Sequence, residues 1–261
     1  MILEGKTLVV AGVGPGLGRE VAACALRDGA NVVIGARTES KLADVAKALD
    51  PTGERVVPVT VDVTDAARCE ALMQTAVDRF GGLDAVVNVA ALDAIFGTLE
   101  STSSDDWRRS LETNVVGTMQ VARAAVPHLE ARDGGAIVLI GSQAMWLPPK
   151  MPQIAYAAAK GALLSAMYHM ADELGPKKIR VNMVIPTWMW GPPVEAYMNW
   201  QSKERGVPVE AVKGEVTANM ALGEIPADED VAEAAIFFSS DRARMITGET
   251  LLVNAGELYR T

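Results

Sequence analysis

Ala11-Gly12-Val13-Gly14-Pro15-Gly16-Leu17-Gly18 lies between an apolar run, Thr7–Ala11, and an amphipathic segment over about 17–28. Glycines permit a tight turn and a close backbone approach, and a helix N-terminus offers free amides and positive potential to a phosphate. Strand, glycine turn and helix in that order form the context that a dinucleotide fingerprint requires.

Further apolar runs recur along the chain. Strands are predicted at Thr7–Ala11, Asn31–Gly35, Arg55–Thr60, Asp84–Asn88, Ala136–Ile140, Arg180–Val184 and Thr250–Val253, with helical patterns near 17–28, 39–49, 65–80, 104–131, 155–174 and 227–238. This alternation predicts an α/β fold with a parallel sheet covered on both faces. The runs are short, β-branched and almost continuously apolar, as strands buried on both sides should be. No repeat, low-complexity tract or linker divides the 261 residues, so a single domain over 1–261 is expected.

At 49% hydrophobic the chain has material for a sizeable core, and 24 basic against 33 acidic residues, a net charge of −9, argue against nucleic acid as a partner. No apolar run reaches the roughly 18 residues that span a bilayer, so no membrane partner is expected. The N-terminus, Met1-Ile2-Leu3-Glu4-Gly5-Lys6, lacks a signal-peptide pattern, and the expected location is cytoplasmic. Two cysteines, Cys24 and Cys69, without metal-type spacing, and two histidines, His128 and His169, predict no metal site.

The second strand ends Gly35-Ala36-Arg37-Thr38 with no carboxylate. An acidic residue here selects NAD through the ribose 2′-hydroxyl, whereas Arg accommodates a 2′-phosphate. Arg37 offers the planar donor fork suited to phosphate, which favours NADP(H) over NAD(H). Asp62, in Val61-Asp62-Val63-Thr64, either accepts a hydrogen bond from an adenine amino group or caps the helix beginning near Asp65. The small residues of Asn88-Val89-Ala90-Ala91 allow a flat ring and sugar to approach the backbone.

Tyr156 and Lys160 are four residues apart in an alanine-rich helical segment, hence on one face and one turn apart. A nearby ammonium favours the phenolate and lowers its pKa from about 10 towards the working range. Ser142, just after the fifth strand, supplies a hydroxyl for the same reacting oxygen. Asn114 lies within a helical pattern where Asn competes for backbone hydrogen bonds, which suggests a local helix distortion or a held water.

Gly12, Gly16, Gly18, Asp62, Asn88, Asn114, Ser142, Tyr156, Lys160 and Ile185-Pro186 resemble, in order and spacing, the short-chain dehydrogenase/reductase family, and the resemblance covers essentially the whole chain. It implies a Rossmann-type doubly wound sheet of seven parallel strands in the order 3-2-1-4-5-6-7, a nicotinamide cofactor and a homotetramer. Tyr156 is then expected to exchange a proton with the substrate oxygen, and Lys160 to hold the nicotinamide ribose and lower the Tyr156 pKa. Ser142 is expected to polarise the carbonyl, and Asn114 to hold a water of the proton relay. Cofactor contacts are expected at Gly12, Gly14, Gly16, Leu17, Gly18 and Arg37, at Asp62, Val63, Asn88 and Ala90, and at Tyr156, Lys160, Pro186 and Trp188. Two departures stand out: Ala11 replaces a Thr whose hydroxyl commonly ties two turns together, and Ala91 replaces a Gly.

Ligands of open parallel sheets bind beyond the carboxyl ends of the strands. Residues 92–99, 143–153 and a long segment over about 187–225, read as a lid with short helices, arrive there. Gln143, Met145, Trp146 and Trp190 are the expected substrate contacts, and four of the five tryptophans (Trp146, Trp188, Trp190, Trp200) lie near this mouth. Indoles and thioethers suit a ketone or alcohol with a bulky apolar body. The leading reading is an NADP(H)-dependent oxidoreductase of such a carbonyl/alcohol pair. Its alternatives are an NAD(H)-dependent alcohol dehydrogenase of the same fold and a non-catalytic dinucleotide-binding regulator.

Overall fold

The seven apolar runs pair into one parallel sheet in the order β3-β2-β1-β4-β5-β6-β7. The computed structural model describes residues 1–149 and 151–259. Lys150, part of the wall expected over 143–153, and Arg260 and Thr261 of the expected 1–261 domain lie outside the described residues. The strands are β1 (Thr7–Ala11), β2 (Asn31–Ala36), β3 (Val56–Thr60), β4 (Ala85–Asn88), β5 (Gly135–Ile140), β6 (Ile179–Pro186) and β7 (Thr250–Val253). β6 runs two residues beyond the predicted Val184 because Ile185 and Pro186 pair with Leu252 and Val253 of β7.

Alternate strand residues feed two separate cores. Leu8, Val10, Val32, Ile34, Val87 and Val138 pack under α1 (Leu17–Arg27), α2 (Glu39–Leu49) and α9 (Asp228–Ser239). Val9, Val33, Val86, Ile137, Leu139 and Val181 point the other way, under α3 (Ala66–Phe80), α5 (Thr118–Glu130) and α6 (Ile154–Leu174). Each fully buried Val, Leu or Ile contributes about 1.5–3 kcal/mol, so both faces stabilise the sheet. Local signals set the helix ends: Asp65 accepts the Arg68 N–H at 3.2 Å to start α3, and Gly81 at φ 80° ends it. Among the described residues, no helix is long and apolar enough to cross a membrane.

The helix predicted over 104–131 is interrupted. α4 (Ser104–Leu111) passes into a π-helical turn, Glu112–Gly117, before α5 begins. The turn holds Asn114, in agreement with the distortion expected there. The predicted lid contains α7 (Pro192–Arg205) and α8 (Val209–Thr217).

Register brings the functional strand ends level, with Ala11 paired to Gly35 and to Asn88, and Asn88 to Leu139. The glycine turn is locked at that edge. Gly12 has φ +97°, and a Cβ on it would lie 2.2 Å from the Ala90 nitrogen; a Cβ on Gly18 would lie 2.4 Å from the Gly12 oxygen. Gly12→Ala is therefore expected to cost about 1–3 kcal/mol through overpacking and left-handed strain. A methyl added at Gly14 would meet nothing within 4 Å, so Ala there should be tolerated within about 0.5 kcal/mol. Chemical denaturation of both variants measures the difference.

Candidate active site

The glycine turn closes on the end of β4 without the side-chain hydroxyl that Ala11 lacks. The Val89 and Ala90 N–H groups both donate to the Ala11 carbonyl, at 2.8 and 2.9 Å. On the other side, the Gly12 and Val13 N–H groups donate to the Gly35 carbonyl at 2.8 and 2.9 Å. Among the described residues no side chain caps α1 at Gly16, and a Cβ on Gly14 would meet nothing within 4 Å. An uncapped helix start behind an open glycine turn fits the diphosphate of a dinucleotide.

Beyond β2 and β3, a cleft of about 360 Å³ is lined by Arg37, Thr60, Asp62 and Arg68. Asp62 does not cap α3, since Asp65 does. Its Oδ1 accepts from the Thr64 N–H at 3.0 Å and the Thr64 hydroxyl at 2.8 Å. These bonds, with the nearby Arg37 and Arg68, hold the Asp62 carboxyl below its usual value. Arg68 is not legible as a site residue in the sequence because it falls inside a helical pattern; only its place in the first turn after Asp65 brings it to the cleft. Val63 is buried, and its side chain packs where a Cβ on Gly117 would lie 2.8 Å away.

A buried relay runs from β4 into the π-turn. The Asn88 amide donates to Thr118 Oγ1 at 2.8 Å, and that hydroxyl donates to the Asn114 carbonyl at 2.8 Å. Among the described residues, Asn88 Oδ1 is buried without a hydrogen-bond partner. The Asn114 side chain clamps Leu92, accepting from its N–H and donating to its carbonyl, both at 3.0 Å, while its amide also reaches the Ser110 carbonyl at 2.9 Å. Thus the Asn114 side chain braces the loop after β4, and its carbonyl is already engaged by Thr118.

Ser142, Tyr156 and Lys160 come together at the end of β5. Tyr156 shares a hydrogen bond with Ser142, and Ser142 Oγ also accepts from the Ala144 N–H at 3.2 Å. Lys160 is 2% exposed; its ammonium donates to the Ile140 carbonyl at 2.6 Å and lies 5.5 Å from the Tyr156 ring centre. The expected lowering of the phenol pKa by Lys160 needs correcting. Burial raises the Tyr156 pKa above its ordinary value, the Asp93 carboxylate adds to the rise, and the Ser142 bond opposes it. The ammonium takes a carbonyl instead, because a buried cation requires an acceptor. Burial also lowers the Lys160 pKa to about 8, with Asp93 pulling it upward. Asp93 is the acidic group that sequence reasoning misses, although its loop, 92–99, is expected at the mouth.

The expected substrate wall is only partly a wall. Gln143 is 5% exposed, and its amide donates to Glu257 Oε2 at 2.6 Å and accepts from Asn254 at 3.1 Å, so it faces the interior. Glu257 also accepts the Thr187 hydroxyl, tying the chain after β7 to the root of the lid. Met145 and Trp146 are partly buried against the core. Trp188, beyond the buried Pro186, stacks on Tyr197 at 5.5 Å. Trp190 pairs with Ala227 through the backbone and carries the Lys213 ammonium 4.0 Å above its ring. These lid indoles pack the lid itself. The loops 92–99 and 143–153 are joined on this side, with the Gly97 N–H donating to the Pro152 carbonyl at 2.9 Å and the Gln153 amide to the Asp93 carbonyl at 2.7 Å.

Because the folded-state pKa of Lys160 is depressed, the unfolded chain holds more protons between about pH 8 and the ordinary lysine value near 10.4. Stability contributed by this site is therefore expected to rise with pH across that window. Lys160→Met should remove that rise, which urea melts of both proteins across the window measure.

Residues 12–257 match a family model described as enoyl-(acyl carrier protein) reductase. The chain is 33% identical over 255 residues to dehydrogenase/reductase SDR family member 4 of Pongo abelii, covering 97% of this chain and 88% of that protein. It is 33% identical over 256 residues to 2-(S)-hydroxypropyl-CoM dehydrogenase 3 of Xanthobacter autotrophicus, covering 97% of each. A solved short-chain type dehydrogenase/reductase from Mycobacterium ulcerans matches with a TM-score of 0.89 at 29% identity, over 98% of this chain and 91% of that one. The family generally uses NAD(P)(H). With this sheet order and these matches along nearly its full length, the chain belongs to the short-chain dehydrogenase/reductase family, as an oxidoreductase acting on CH–OH groups.

Proposed function

We propose that the protein binds NADP(H) in preference to NAD(H) and interconverts a carbonyl and an alcohol on a substrate with a bulky apolar body. The observation that carries the cofactor preference is the cleft at the ends of β2 and β3. Two guanidinium groups, Arg37 and Arg68, line it, and no carboxylate stands between Gly35 and Thr38. A ribose 2′-phosphate seated there receives charge-assisted, fork-shaped donors. Asp62 remains on the adenine side of the same cleft, with Oδ1 already occupied by Thr64.

When bound, the nicotinamide supplies or accepts the hydride. The chain's own groups handle the oxygen. Tyr156, held protonated by burial, donates a proton to the substrate oxygen during reduction, and Ser142 positions that oxygen beside it. Lys160, fixed on Ile140, presents the remaining donors of its ammonium to the cofactor ribose. The clamp of Asn114 on Leu92 keeps the loop bearing Asp93 close to both. The exposed small residues Ala158, Ala162 and Ser165 on α6 offer a close-packing face for self-association into a homotetramer.

Fluorescence titration with NADPH and with NADH tests the preference. NADPH is expected to bind the unaltered protein more tightly. Arg37→Ala should weaken NADPH by about 10- to 100-fold, as loss of a charge-assisted hydrogen bond does, and leave NADH unchanged. Tighter binding of NADH to the unaltered protein contradicts the proposal and supports the NAD(H)-dependent alternative.

A further inference from the structure

Asp228 opens α9 and is 7% exposed. Among the described residues no hydrogen bond ends on its carboxylate and no salt bridge includes it; its backbone N–H donates to the Trp190 carbonyl at 3.4 Å. The side chain lies between two glycines. A Cβ on Gly16 would stand 3.2 Å from Oδ2, and a Cβ on Gly191 1.9 Å from it. Gly16 is the N-cap of the 11-residue α1 and Gly191 that of the 14-residue α7, and no side chain caps either helix. Two helix N-termini flank this buried carboxylate and favour its charged form, but among the described residues neither gives it a hydrogen bond, so burial without a partner decides the balance.

The surrounding charges do not neutralise it. Glu20 faces it from α1, with Arg19 paired to Glu20. Further along α1, Arg27 is engaged by Asp28, Glu229 and Glu233. On α9 itself Asp230 accepts the Ala227 N–H, and on α8 Lys213 is stacked over Trp190. Burial first, then Glu20, raises the Asp228 pKa above the ordinary carboxylate value. A buried, unpaired carboxylate is costly when ionised, and a diphosphate on the adjoining glycine turn would add further negative charge.

We propose that Asp228 is a proton-linked residue of the cofactor site, taking up one proton from solvent when a dinucleotide's diphosphate seats on the turn at Gly14–Leu17. The inference rests on the cofactor-binding reading above. Ionised Asp228 opposes the diphosphate, and protonated Asp228 admits it. The glycines on either side leave the carboxylate room to stand there but no hydrogen-bonding side chain to satisfy it. Affinity therefore falls as pH rises through the Asp228 titration, by up to about tenfold per pH unit for one proton.

The test is the dissociation constant of NADPH, and of NADH as a second ligand, followed from the most acid pH at which the protein stays folded up to the alkaline side of neutrality, because burial moves this carboxylate upward from its ordinary value. The unaltered protein should bind both more weakly as pH rises. Asp228→Asn should bind more tightly at the alkaline end and lose most of the slope. Glu20→Gln, which removes the neighbouring negative charge, should move the fall in affinity to lower pH. Without ligand, Asp228→Asn should melt at a higher temperature than the unaltered protein at the alkaline end, with a smaller gain at the acid end, because folding then buries no charge. Parallel slopes in the unaltered protein and Asp228→Asn overturn the proposal while leaving the cofactor reading intact. Binding of neither dinucleotide at any pH overturns both.

Discussion

The contact on which the site depends is the Lys160 ammonium donating to the Ile140 carbonyl at 2.6 Å. It joins the start of α6 to the end of β5, the elements that carry Tyr156 and Ser142. A cation that is 2% exposed cannot remain there without an acceptor, so the strand end and the helix are held in one register. Tyr156 and Ser142 then meet as a consequence. The same burial lowers the Lys160 pKa and raises that of the phenol. Desolvation thus outweighs the mutual influence that four-residue spacing alone suggests.

A second constraint is the absence of space at the glycine turn. Gly12 lies so close to Ala90 that β1 and β4 end against one another, and the Ala11 carbonyl receives both facing amides. The two turns are thus joined through backbone groups, although Ala11 brings no hydroxyl. In the proposed reading the open part of the turn, around Gly14, would take the diphosphate, and the cleft lined by Arg37 and Arg68 the adenosine end.

The sheet is legible in the sequence because each strand is an apolar run bounded by turn residues, and its order follows from the family resemblance. Asn114 announces the π-turn through its poor fit to a helix interior. What is not legible requires side-chain direction. Gln143 follows Ser142 directly yet points inward to Glu257 and Asn254, more than a hundred residues away in sequence. Trp188, expected at the cofactor, stacks on Tyr197, and Trp190, expected at the substrate, lies beneath the Lys213 ammonium, neighbours that the sequence order does not announce. Asp93 and Arg68 carry no motif of their own and gain meaning only from the groups they face.

The central claim is that Tyr156 transfers the proton and the remainder of the site positions its partner atoms. Tyr156→Phe tests it most directly, by steady-state reduction of a bulky apolar ketone together with a cofactor-binding titration. The expected result is a loss of turnover of about 10²- to 10⁴-fold, the contribution of a positioned acid, with cofactor affinity essentially retained. Full activity in Tyr156→Phe would contradict the mechanism.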